Sequence, residues 1–255
     1  MAESLHRAVV LSAGYGTRLG ALTAETPKPM LDIAGQPLIE RILRHLAAEG
    51  VDEVGVNLHF RPEQIRDRLR DGAAVGLRIR YTEEAALQGT AGGVRGFASW
   101  LREDAAPFLV QYGDVLTDQP LAPLLEAHRA ARALVTIVVH RRAGSNSVVE
   151  RDEDGRVTRF LERPADPAAT AAEGWVNSGI YVCAPEVLER IPPDGPADFP
   201  RDVFPALVEE RRLFAVPLTG YRCAIDSAER LEEARAAVRS GRLRAADAPP
   251  GKAQG

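Results

Sequence analysis

Along the first half of the chain, short apolar runs alternate with segments whose apolar residues recur at helical spacing. Residues 7–12 (RAVVLS) form a compact apolar run, a buried strand, and a glycine-rich loop follows directly. Residues 37–50 (PLIERILRHLAAEG) hold apolar side chains at i, i+3, i+4 and i+7, with Pro37 as a start signal and Gly50 as a stop. Residues 53–58 (EVGVNL) read as a strand and 62–72 (PEQIRDRLRDG) as a helix ended by glycine. Residues 77–81 (LRIRY) alternate as a half-buried strand does. Residues 90–101 (TAGGVRGFASWL) have a helical pattern interrupted by glycines, and 107–114 (PFLVQYGD) form a strand with an acidic residue just past its end. A helix near 120–132 and a strand over 133–141 (ALVTIVVHR) come next. This alternation predicts βαβ units and a mainly parallel, doubly wound sheet.

The second half changes period. Residues 147–162 (SVVERDEDGRVTRFLE) are two alternating runs around Asp-Glu-Asp-Gly, a hairpin signal. Residues 165–174 (ADPAATAAEG) read as a small-residue loop, and 175–185 (WVNSGIYVCAP) return to strand. A helix is expected over 198–211, one or two strands over 212–226, and a final helix over 227–241. The tail 242–255, with Lys252 in it, is expected to be disordered. With no internal repeat and no clear linker, one α/β domain over 1–241 with small β-rich insertions is expected rather than two domains.

Composition narrows the partners. Among 255 residues the net charge is −4, which gives no reason to expect nucleic acid or an anionic membrane surface. Cys183 and Cys223 are too few for a disulfide framework or a four-ligand zinc site, and their apolar, strand-like contexts suit buried free thiols. The start, MAESLHRAVVLSAG, runs from a short apolar stretch straight into glycines, unlike a signal peptide, and no stretch approaches the roughly 18 apolar residues of a membrane span. A cytoplasmic protein, monomer or homodimer, is expected.

The glycine loop carries the chemistry. Its spacing, Gly14-x-Gly16-x-x-x-Gly20, departs from G-x-G-x-x-G, and the second strand ends in Asn57-Leu58-His59 where a dinucleotide site would place an acid. The P-loop form is also absent. A tight turn would explain the glycines but not Arg18, nor Lys28 between Pro27 and Pro29. The prolines push residues 26 and 28 toward extended backbone, so Lys28 is expected to project from a stiff segment. A compact ammonium suits phosphate oxygens as a point charge. Only Lys28 and Lys252 break an otherwise all-arginine set of 32 basic residues.

The segments LSAGYGTRL (11–19), TPKPML (26–31) and IAGQPLIERIL (33–43) closely resemble the signature of the sugar-1-phosphate nucleotidylyltransferases. GTAGG (89–93), YGDVLTD (112–118), FLERP (160–164) and NSGIYV (177–182) extend the resemblance in order. It implies a Rossmann-like three-layer α/β/α fold with a mainly parallel, mixed central sheet. A nucleotide-binding half would span about 1–118 and a sugar-phosphate half about 119–241. It also implies a reaction in which a nucleoside triphosphate and a sugar 1-phosphate give a nucleotide sugar and pyrophosphate.

By that resemblance, Ser12, Ala13, Gly14, Gly16, Thr17 and Gly113 hold the nucleotide, with Gln88, Gly89 and Thr90 in the base-binding loop. Taken alone, GTAGG would be only a glycine turn. Arg18 is expected on the β- and γ-phosphates and Lys28 on the α-phosphate, stabilising the charge that develops during transfer. Asp114, at a strand's carboxyl end, suits Mg²⁺. Asp118 is open between such a site and a helix cap. Glu162 and Asn177 correspond to residues that bind sugar hydroxyls. The family's Glu-Lys-Pro reads Glu162-Arg163-Pro164 here, which leaves the sugar phosphate to Arg163. Tyr112 stands where many relatives have asparagine. Most relatives also close with Asp-x-Gly-Thr-Pro-Glu, where this chain has Ala224-Ile225-Asp226-Ser227-Ala228-Glu229. Ungapped, the family aspartate falls on Ala224; with a two-residue deletion it becomes Asp226, which shares a strand face with position 224. Asp226 is expected as the second metal ligand, against a helix-cap role.

The motifs look most like mannose-1-phosphate or D-glycero-D-manno-heptose-1-phosphate guanylyltransferases, which puts GTP first. UTP-, dTTP- or CTP-dependent relatives, a cyclitol phosphate substrate, and a nucleotide-sugar-binding regulatory protein stay open.

Overall fold

The computed structural model describes residues 5–145, 147–163 and 173–243. Residues 165–172 of the loop expected at 165–174, Pro164, and the tail from 244 with Lys252 lie outside the described residues, while Gly174 opens a strand.

Thirteen strands are present among the described residues. In chain order they are β1 (Arg7–Leu11), β2 (Asp32–Ile33), β3 (Gln36–Pro37), β4 (Glu53–Leu58), β5 (Arg78–Glu83), β6 (Phe108–Tyr112) and β7 (Val115–Thr117). They continue as β8 (Val135–Arg142), β9 (Ser147–Arg151), β10 (Val157–Glu162), β11 (Gly174–Cys183), β12 (Leu213–Pro217) and β13 (Arg222–Ala224). The main sheet follows the path β12-β8-β11-β6-β1-β4-β5, with the β9–β10 hairpin attached to β11. Pairings β1–β4, β1–β6, β4–β5 and β8–β12 are parallel, while β11 runs antiparallel to β6 and β8. The sheet is therefore mixed and mainly parallel, as the sequence pattern predicts.

Its two faces are buried by two cores. Ala8 and Val10 of β1 enter one core with Ile42 and Leu43 of α1 (Leu38–Ala48); Val9 enters the other with Phe108 and Val110. Val138 faces the first core, while Ile137 and Val139 face the second. Such period-two partition, with helices on either side, makes three layers. Among the described residues no helix is long and apolar enough to cross a membrane.

Local chemistry shifted several expected boundaries. The helix expected at 90–101 is two, α3 (Gly89–Arg95) and α4 (Ala98–Leu101), parted at Gly96 and Phe97. The segment 198–211 opens with a wide π turn, Phe199–Val203, before the α-helix Phe204–Glu209. Small pairings the pattern did not reveal join β2 to β3 and β7 to β13. Lys28 is not extended, as its place before Pro29 suggested. Pro27 takes the extended backbone, and Lys28 starts a 3-10 turn closed by Met30 N–H to the Pro27 carbonyl at 2.8 Å and Leu31 N–H to the Lys28 carbonyl at 3.1 Å. Those two bonds outweigh the pre-proline bias. Both cysteines are buried free thiols.

One buried group makes folding acid-sensitive. His128, on α5 (Ala122–Ala130), is 3% exposed and shares a 3.1 Å hydrogen bond with the Thr136 hydroxyl. Burial, reinforced by Arg129 and Arg212, pushes its pKa from 6.5 down to about 4. Above pH 6.5 both folded and unfolded chains hold it neutral. Between pH 6.5 and 4 only the unfolded chain takes up the proton, so stability is lost as pH falls, by roughly 3 kcal/mol for this residue. The melting temperature is expected to fall between pH 7 and 5, and His128→Asn is expected to melt lower at pH 7 but on a flatter slope. An equally steep slope in the variant would refute the assignment.

Candidate active site

Parallel strands aim their carboxyl ends to one edge of the sheet, and the site is built there. β1 delivers the glycine loop and β6 delivers Tyr112, Gly113 and Asp114. Because β11 runs the other way, it reaches the same edge with its beginning, Asn177 and Ser178. Its register against β8 slips between Asn177 and Tyr181.

The glycine loop is tied at its root. Ser12 N–H donates to Asn57 Oδ1 at 2.7 Å, and Asn57 Nδ2 donates to Glu84 Oε1 at 2.7 Å. The other Glu84 oxygen accepts from Gln88 N–H at 2.8 Å. Buried Asn57 and Glu84 thus link the ends of β1, β4 and β5 to the start of α3. Gly16, at φ +69°, takes a left-handed backbone, and a Cβ there would lie 3.1 Å from Lys28 Cβ. The loop and Lys28 therefore lie side by side, and only glycine leaves the room. A Cβ at Gly14 would meet nothing within 4 Å and would point into free space.

Two cavities result, of about 310 Å³ and 240 Å³, sharing Arg18, Tyr112 and Asp114 as a common wall. The first is lined by Ser12, Ala13, Gly14, Gly16, Thr17 and Lys28, with Gly89, Thr90 and Gly113 opposite. The second, more polar cavity takes in Glu162, Arg163, Asn177 and Asp226. Lys28 Nζ is 2.6 Å from Asp114 Oδ2 where the two meet. Arg18 lies 3.9 Å from Asp226.

Gln88 is not brought to the first cavity's wall. Its Nε2 donates to the Ala86 carbonyl and its Oε1 accepts from Arg95. Asp118 neither caps α5 nor lines either cavity; its Oδ1 accepts Tyr221 N–H at 2.6 Å, and Glu49 accepts the Leu121 amide instead. Ser227 caps the last helix, Ala228–Arg239, through Arg230 N–H. Asp226 is thereby free of capping, and Arg222, Ala224 and Asp226 share the cavity face while Cys223 and Ile225 enter the core.

Tyr112 has a structural account. Its hydroxyl accepts from Tyr181 Oη at 2.9 Å, and Tyr181 Oη accepts from Asn177 Nδ2 at 2.7 Å. Burial raises the pKa of both phenols, so the relay stays protonated and fixes the Asn177 carboxamide from below. Asn177 Oδ1 in turn accepts Gly179 N–H at 3.0 Å.

Asp198, a further wall residue, carries no local sequence signal. Asp198 Oδ1 accepts Thr90 N–H at 3.0 Å and Thr90 Oγ1 at 3.2 Å, and the carboxylate pairs with Arg201. Burial alone would raise its pKa, but the Thr90 and Arg201 bonds hold it below the usual carboxylate value. Glu162 is shifted the other way, chiefly by burial, with Asp198 adding to it. Asn57 and Glu84 could have been found from the rule that polar residues at parallel strand ends line sites; Asp198 and Arg222 could not.

A family model described as "Nucleotidyl transferase" matches residues 7–223. Mannose-1-phosphate guanylyltransferase of Mycobacterium tuberculosis is 40% identical over 205 residues, covering 80% of this chain. UTP–glucose-1-phosphate uridylyltransferase of Synechocystis is 33% identical over 216 residues, again covering 80% of this chain. The chain spans 55% of the length of each of these relatives. HddC from Yersinia pseudotuberculosis superposes with a TM-score of 0.76 at 22% identity, over 92% of this chain and 100% of that one, a likeness of fold.

Proposed function

Because the chain belongs to the nucleotidyl transferase family, we propose that it transfers a nucleotidyl group from a nucleoside triphosphate to a hexose or heptose 1-phosphate, with GTP as the first choice. A phosphate oxygen of the sugar 1-phosphate attacks the α-phosphorus in line. The bond from that phosphorus to the bridging oxygen of the β-phosphate breaks, and pyrophosphate leaves with the electron pair. The observation that carries this reading is the pair of cavities meeting at Arg18, Tyr112 and Asp114, one framed by the glycine loop and the other by polar side chains that include Glu162, Arg163 and Asn177.

The roles follow from placement. Loop amides at 12–17 suit polyphosphate oxygens. Lys28, at the boundary, suits the α-phosphoryl, and Arg18, on both cavities, suits the departing pyrophosphate. Glu162 and Asn177 suit sugar hydroxyls. Asp114 and Asp226 line one cavity, and among the described residues no cluster of three or more His, Cys, Asp or Glu could hold a metal by itself. Two carboxylates completed by substrate oxygens is the donor set Mg²⁺ takes. When bound, the ion would neutralise charge building on the phosphates.

GTP is favoured by the guanylyltransferase-like motifs and by the Mycobacterium tuberculosis relative; the Synechocystis relative makes UTP the second reading. Buried free cysteines suit a reducing compartment, and the cytoplasm is the proposed place of action.

Pyrophosphate release measured across five nucleoside triphosphates and a set of hexose, heptose and cyclitol 1-phosphates tests the proposal. GTP with a manno-configured 1-phosphate is expected to give the highest kcat/KM. No turnover with any pair, alongside tight binding of a nucleotide sugar, would leave a binding protein in place of an enzyme.

A further inference from the structure

The carboxylates of the second cavity are all engaged. Asp114 pairs with Lys28, Asp226 with Arg18 at 3.9 Å, and Glu162 with Arg163 at 3.9 Å. Two more arginines line the same cavity, Arg142 and Arg222, and neither has a carboxylate partner among the described residues. Arg222 is the more enclosed. Burial pushes its pKa down and Asp114 opposes the shift, yet a guanidinium stays charged. Its Nε donates to the Ser178 carbonyl at 3.2 Å, which fixes the fork, and its two terminal nitrogens make no hydrogen bond among the described residues. His140, bonded to the Ser178 hydroxyl at 2.9 Å, is pushed to about 4 by burial with Arg222 and Arg142, so it is neutral at pH 7. An enclosed guanidinium whose counter-charge, Asp114, is not in ion-pair contact leaves its terminal nitrogens open to an anion.

The shared cavity wall and the electrostatic coupling to Asp114 place Arg222 near that carboxylate, although in the backbone register Arg222 itself stands opposite Thr117. β13 is antiparallel to β7, with Ala224 opposite Val115, and Ile225 N–H donates to the Asp114 carbonyl at 2.9 Å. Arg222 lines only the second cavity, on the sugar side of Asp114. Arg163, the residue expected from the sequence to take the sugar phosphate, has a left-handed φ of +48°, a side chain 67% exposed, and Glu162 as its partner.

We propose that Arg222, rather than Arg163, is the principal anchor for the phosphate of the acceptor substrate, holding it bidentately beside Asp114. The inference rests on the transferase reading for what the anion is attached to. Geometry favours the assignment, because a rigid fork oriented by a backbone carbonyl matches phosphate oxygens in pairs.

Steady-state kinetics of Arg222→Met, Arg222→Lys and Arg163→Met, with the two substrates varied in turn, test it. Arg222→Met is expected to raise KM for the sugar 1-phosphate about ten- to a hundredfold, the loss of a charged bidentate contact, with KM for the triphosphate changed less than about threefold. Arg222→Lys is expected to recover part of that loss, and Arg163→Met to raise the same KM less than about threefold. A larger effect from Arg163→Met, or equal effects of Arg222→Met on both substrates, would overturn the assignment. If Arg222→Met does not fold, Arg222→Lys carries the same comparison. Calorimetric titration with mannose 1-phosphate and with inorganic phosphate separates this from the reaction itself. Wild-type binding that weakens in the Arg222 variants supports the anchor even if no turnover is found, and binding indifferent to Arg222 refutes it even if turnover is normal.

Discussion

Lys28→Ala is expected to lower kcat by about 10³-fold, with the protein still folded, because it removes a preorganised charge from the point where negative charge develops. The residue is placed for that effect. Its side chain is 12% exposed, its ammonium is 2.6 Å from Asp114, and its stem lies against Gly16 of the loop. Shielding from water makes one charge worth more there than on an open surface. Lys28→Arg is expected to recover less than about tenfold of the loss, since a branched planar guanidinium does not fit the slot of a compact ammonium. Thermal melting should shift little, because Asp114 is 32% exposed and keeps access to water once the lysine is gone. Single-turnover rates with saturating substrates check it. A variant that kept more than a tenth of the wild-type rate would remove Lys28 from the chemistry.

Asp114→Asn is expected to cost about 10²- to 10³-fold in kcat and to raise the Mg²⁺ concentration needed for half-maximal rate. The substitution keeps the size of the side chain, and the backbone bond from Ile225 to the Asp114 carbonyl does not depend on the carboxylate. What changes is charge. An amide oxygen binds the ion more weakly and leaves Lys28 without its counter-charge. Asp226→Asn is expected to act in the same direction through the ion. Should Asp226→Asn leave both kcat and the Mg²⁺ dependence untouched, the second ligand must come from another residue. Mg²⁺ titrations of activity and of melting temperature, with the nucleotide present, separate these outcomes.

Much of this is legible in the sequence alone. The apolar period of residues 53–58 marks a strand that the structure bounds at Glu53–Leu58, and the helix over 37–50 is found as Leu38–Ala48. Both follow from contacts between near neighbours in sequence, which is what periodicity records. The glycine loop, Arg18 and Lys28, the proposed phosphate site, are legible because they lie close together in sequence. Asp114 was visible as an acid just beyond a strand end. The place of Asp118 was not, since its partner is Tyr221, 103 residues away. Nor is the place of Gln88 legible, since Arg95 and the Ala86 carbonyl hold its side chain away from the wall of the first cavity.

By itself, then, the sequence determined most of the main strands and helices, the α/β class, the glycine loop with its two nearby cations and the strand-end carboxylate. The tertiary structure decided how the second half completes the site. A period of two is the same for a parallel and an antiparallel strand, so nothing local tells that β11 reverses and presents Asn177 at the edge where β6 presents Asp114. Nor does any local pattern bring Asp198 to Thr90, 108 residues earlier, or put Arg222 on one cavity wall with Asp114. Those meetings are set by which strands pair and in what register, and pairing is chosen by burial of both sheet faces across the whole chain.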